Sequence, residues 1–123
     1  MSLPWFYDEV AVDHAALFAL QQAATAAAAA VERAAAERLR TASQHLRYCA
    51  GPYAEDLADA VLRAGAVDGD LIERCLALAA QAVAAGDAAR TEQARRLALQ
   101  ETYELELARD EAHAAARATG VPA

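Results

Sequence analysis

From Asp8 to Cys49 the chain contains neither glycine nor proline. Alanine, the strongest helix former, dominates this stretch, and nearly every other residue in it is tolerated in a helix. Read as one helix it would be roughly 60 Å long at about 1.5 Å per residue. A compact globule of this chain length measures only about 35 Å across. The sequence therefore predicts an elongated molecule built on one long N-terminal helix.

Gly51-Pro52 ends that helix, because glycine terminates helices and proline cannot continue them. Further helices are expected over 53–64, 68–85 and 88–118. Gly65 to Gly69 separates the first two, with Asp68 or Asp70 as an N-cap, and Gly86-Asp87 separates the last two. The expected fold class is all-α: an elongated antiparallel three- to four-helix bundle. It would form a single domain over residues 1–123, with an arm at 1–7 and the long helix at 8–49.

The chain has 38 alanines, no lysine and no asparagine, and all eleven basic residues are arginine. That is the imprint of GC-rich codons, so part of the alanine content carries no functional signal. A net charge of −7 argues against a general nucleic-acid binder, which needs a basic surface to neutralise phosphates. It argues equally against adsorption to anionic membranes. The N-terminus MSLPWFYDE lacks a basic region ahead of an apolar one, so no signal peptide is read there and a cytoplasmic location is expected. Ala15 to Val31 is uncharged, but its bulk is alanine rather than leucine and it is short for a span, so no membrane insertion is expected. Cys49 and Cys75 form no metal-type spacing; free thiols and a single bridge both remain open.

Two features point to a protein partner or a second copy of the chain. The arm carries Trp5 and Phe6, which read either as a cap over the bundle end or as an anchor for a partner. The long helix carries a narrow seam at Val10, Leu17, Leu20, Ala24, Ala27, Val31, Ala35, Leu39, Ala42, Leu46 and Cys49, spaced mostly three and four as in coiled coils. Between Gln22 and Ala30 the helix is apolar or neutral all round, and such a helix is usually covered on more than one side. In the fourth expected helix, Ala94, Ala98, Thr102, Leu105, Ala108, Ala112 and Ala115 line one stripe, with Leu99, Tyr103 and Leu107 beside it.

No catalytic residues are read from the sequence. It lacks a nucleophile elbow, a Gly-rich phosphate loop and the HExxH metal pattern. Asp110 and His113 form one carboxylate–histidine pair, but the second pair that a di-iron bundle needs is missing. No cofactor and no enzymatic activity are expected. The alternative reading is a bundle that holds a small ligand or metal between helices, with His14, Tyr103 or His113 inside.

The turn Tyr48-Cys49-Ala50-Gly51-Pro52-Tyr53 follows a long alanine-rich helix and precedes Leu57. It resembles the small helical-hairpin family of type VII secretion, in which a Trp-x-Gly turn joins two helices. Cys49 holds the place of the tryptophan, Gly51 matches the glycine, and Leu57 holds the apolar position eight residues on. Relatives that keep a Gly-Pro-Tyr turn are matched by Gly51, Pro52 and Tyr53. The resemblance covers residues 8–64. It implies a non-enzymatic helical protein that pairs with another helical protein, as a secretion partner or substrate exported without a cleaved signal peptide. The family's Tyr-x-x-x-Asp/Glu export signal is absent: Tyr103 has Leu107 at that place.

Overall fold

The computed structural model describes residues 2–120; Met1 of the expected arm and residues 121–123 of the expected domain lie outside them. Among the described residues the chain is all-α, with no strand. A short 3-10 turn at Trp5–Tyr7 precedes two helices, α1 (His14–Leu46) and α2 (Pro52–Ala118). Two helices thus stand where four are predicted. The chain packs as two compact units, one Asp13–Ala85 and the other Met1–Val12 with Gly86–Ala123.

In the first unit, α1 starts later than the expected Asp8. Asp13 is its N-cap, and its carboxylate accepts a hydrogen bond from the Ala16 amide at 3.0 Å. That contact satisfies one of the unpaired donors of the first turn. The helix ends at Leu46, and residues 47–51 turn the chain. Gly51 sits at φ +80°, a conformation that favours glycine. Its carbonyl accepts from the amides of Ala54 and Glu55 as α2 begins. Pro52 is the first residue of α2, where its missing N–H costs nothing.

The predicted break at Gly65–Gly69 does not occur, since α2 stays helical through both glycines. Each glycine weakens the helix by about 1 kcal/mol relative to alanine, but packing outweighs that. Val61, Asp68, Ile72 and Cys75 keep the coiled-coil spacing and are half-buried. Asp68 does not cap a helix; it forms an ion pair with Arg38 of α1. Gly86 is likewise helical rather than a break, and it is buried.

The buried residues of this unit are all alanine: Ala24, Ala28 and Ala42 on α1, and Ala79 and Ala82 on α2. No large side chain is fully buried. The α1 seam runs through Leu17, Gln21, Ala24, Ala28, Val31, Ala35 and Ala42. Three expected seam positions are corrected: Leu20, Ala27 and Leu39 are exposed, and Ala28 takes the place assigned to Ala27. The reason is phase. A step of three, from Leu17 to Leu20 and again from Ala24 to Ala27, takes each of those residues off the face that α2 covers. The steps from Leu17 to Gln21 and Ala24 to Ala28 keep the stripe there.

In the second unit, the non-helical arm lies along the C-terminal half of α2. The predicted stripe Ala94, Ala98, Thr102, Leu105, Ala108, Ala112 and Ala115 is exposed. The covered stripe is instead Ala89, Gln93, Arg96, Gln100 and Tyr103.

Candidate functional site

Two places combine unusual chemistry with exposure. The first is the seat of the arm. Residues 93, 96, 100 and 103 alternate steps of three and four, so they form one stripe on α2. Three of them hold the arm by its backbone. The Gln100 amide donates to the Phe6 carbonyl at 2.7 Å. The Arg96 guanidinium donates to the Asp8 carbonyl at 2.9 Å. The Val10 amide donates to the Gln93 side-chain carbonyl at 3.0 Å. The groups held belong to alternate residues, Phe6, Asp8 and Val10.

The fourth residue, Tyr103, takes the aromatic side chains. Phe6 and Tyr7 both meet its ring edge-to-face, at 5.9 Å between centroids. The Tyr7 hydroxyl donates to Glu104 at 3.2 Å. Desolvation and the Glu104 carboxylate raise the Tyr7 phenol above its ordinary value of about 10. Trp5 stays 53% exposed, with the guanidinium groups of Arg95 and Arg96 at 5.3 and 5.4 Å from its ring centroid. Hydrogen bonds from Arg95 and then Arg96 hold Glu92 below the usual carboxylate range, so the carboxylate keeps both cations aimed at the indole. Phe6 is therefore folded onto the helix, while Trp5 remains open on one side.

The second place is the pair of flanks beside the α1–α2 seam. Leu62, Leu76 and Val83 each follow a seam residue by one position, and Leu71 and Leu78 each precede one. All five are exposed. On α1, Phe18 and Leu20 adjoin the seam residues Leu17 and Gln21, and both are exposed, as is Leu39. An apolar groove of about 340 Å³ opens between the helices where Ala35, Leu39, Val61, Ala64 and Gly65 line it beside the Arg38–Asp68 pair. A two-stranded coiled coil shields its seam and leaves its flanks polar. Here bulky side chains stand on the flanks, and the buried positions of the seam are alanine.

The residues expected to bind a partner fall in both places. Trp5 and Phe6 belong to the arm, Leu17 and Val31 are half-buried in the seam, Ala24 is buried, and Leu20 and Ala27 are exposed. The turn residues Cys49, Gly51, Pro52 and Tyr53 lie at the closed end of the hairpin, with Tyr53 exposed and Leu57 half-buried. Both cysteines are free. Among the described residues no group of three or more potential ligands gathers around a metal-sized site. By length and composition α1 is apolar enough to cross a membrane.

Sequence reasoning missed Gln93, Arg96 and Gln100 because polar residues on a helix read as solvated. The signal was phase. Ile72, Ala79 and Gly86 repeat every seven residues, and the next two steps land on Gln93 and Gln100. Comparison of the chain with protein-family models, with curated proteins and with solved structures returned no match.

Proposed function

We propose that this chain is a non-enzymatic helical module whose task is to bind another helical surface. The carrying observation is the inverted burial of the hairpin: between Asp13 and Ala85 only alanines are buried, and bulky apolar side chains stand exposed beside them. Partner helices laid on those flanks would complete a three- to four-helix bundle. The glycine turn between two helices supports a type VII secretion-associated role. The missing Tyr-x-x-x-Asp/Glu signal favours a partner of that system over an exported substrate.

In-cell cross-linking in the native host tests this reading. The wild-type chain should cross-link into a larger species, whether with a copy of itself or with another protein. The Leu62→Glu/Leu71→Glu variant should lose that species while keeping its helical circular dichroism. A wild-type chain that stays uncross-linked overturns the reading. The apolar groove at Gly65 supports a second reading, an apolar small ligand held between the helices. Native mass spectrometry of protein purified from the host would show the added mass.

A further inference from the structure

We infer that the groove at Gly65 is a binding site for a small apolar carboxylic acid, with its chain in the hollow and its carboxylate on Arg38. This rests on the apolar-ligand reading of that groove and names the ligand's class. The hollow is a gap in the seam. On α2, Gly65, Ile72 and Ala79 repeat every seven residues, as do Val61, Asp68, Cys75 and Ala82. On α1, Ala28, Ala35 and Ala42 repeat in the same way, as do Val31 and Arg38. Gly65 therefore occupies a seam position, where a side chain ordinarily packs against the facing helix. Ala79, two repeats further on, is buried, whereas Gly65 is exposed. A methyl added at Gly65 would meet nothing within 4 Å. The chain itself leaves this layer of the seam unfilled. The gap of about 340 Å³ is walled by Ala35 and Leu39 from α1 and by Val61 and Ala64 from α2.

Size and chemistry select the ligand. One turn of helix, about 5 Å long and about 10 Å wide, fills on the order of 400 Å³, so the hollow does not admit a partner helix. At about 30 Å³ per non-hydrogen atom, the space of a water molecule in the liquid, its volume holds roughly eleven atoms, the size of a short alkyl chain. The walls suit such a chain, because their side chains offer no hydrogen bond and the helices have paired their own backbone groups. Among the lining side chains, the polar ones are Arg38 and Asp68. The two are unequally open: the Asp68 side chain is 16% exposed and that of Arg38 is 56% exposed. Asp68 takes one N–H of Arg38, and a guanidinium carries five. A carboxylate meets the remaining donors with charge-assisted hydrogen bonds. A cationic head would instead have to reach the covered Asp68 carboxylate, which Arg38 already holds. An apolar hollow with a few polar groups at its rim is the usual build of a small-molecule site.

Isothermal titration calorimetry of the purified full chain with decanoate and with decanol tests the inference. Decanoate should bind saturably at one site per chain. Gly65→Leu should abolish that binding by filling the hollow, while the helical circular dichroism is kept. If Gly65→Leu loses helicity, Ala36→Leu plugs the hollow from α1. Arg38→Gln/Asp68→Asn removes both charges together and should weaken decanoate about tenfold or more, with decanol changed by less than about twofold, because only the carboxylate loses charge-assisted hydrogen bonds. Decanoate that does not bind overturns the inference, as does decanoate binding that survives the plug or is indifferent to the loss of both charges. Decanol binding without decanoate binding overturns the carboxylate and leaves the apolar-ligand reading standing. If neither probe binds and protein from the host carries no added mass, both fall.

Discussion

The N-terminal half of α2 and its C-terminal half carry the same three-four stripe and use it in opposite ways. In the first, the stripe holds Ile72, Cys75, Ala79 and Ala82 and faces another helix. In the second it holds Gln93, Arg96, Gln100 and Tyr103 and faces a non-helical arm. The difference follows from what each partner still needs. A helix has paired its own backbone groups, so the surface that meets it has only to be apolar and small enough for close approach. The arm, with only a single 3-10 turn of its own, arrives with free carbonyls and amides, and leaving those unpaired on burial costs about 1–3 kcal/mol each. Gln93, Arg96 and Gln100 supply the missing partners.

The sharpest break of this comparison is in the alanine seam. Ala28→Leu should lower stability by about 1–3 kcal/mol in urea denaturation, because overpacking a close helix contact forces the helices apart. Ala27→Leu, one residue away and exposed, should change it by less than about 0.5 kcal/mol. Equal effects would refute the phase of the seam. On the arm side, Gln100→Ala removes the partner of the Phe6 carbonyl and should weaken docking by about 1 kcal/mol. Trp5 is the only tryptophan, so its fluorescence reports arm release directly, and an unchanged spectrum would count against the clamp.

Smaller effects sharpen the picture. Gly69→Ala should stabilise the hairpin by about 0.5–1 kcal/mol, since the added methyl meets nothing within 4 Å and the helix gains propensity. The smallest expected change is with pH. The Tyr7 phenol is raised in the docked arm, so its contribution is complete below the ordinary value of about 10. It is lost as pH rises through the raised value and the phenolate meets Glu104. An alkaline fluorescence titration should show arm release that Tyr7→Phe abolishes. Glu92 is lowered, so its hold on Arg95 and Arg96 is present above the ordinary carboxylate range and lost as pH falls through the lowered value.

What the sequence determined by itself is local. Alanine content made α1 a helix, and Gly51-Pro52 made the turn. Three- and four-residue spacing announced a seam, but Leu20 and Ala27 could not be told from Gln21 and Ala28, because a stripe rich in alanine is nearly uniform around the helix. The tertiary structure decided the rest. Gly65, Gly69 and Gly86 look like breaks when each is judged by propensity alone, yet the helix continues through them. Packing of the half-buried stripe at Val61, Asp68, Ile72 and Cys75 offsets the cost of about 1 kcal/mol at each of Gly65 and Gly69. The seat of the arm was beyond local reasoning for the same cause. Gln93, Arg96 and Gln100 are ordinary surface residues until a stretch of backbone more than eighty residues earlier in the chain arrives with groups for them to satisfy.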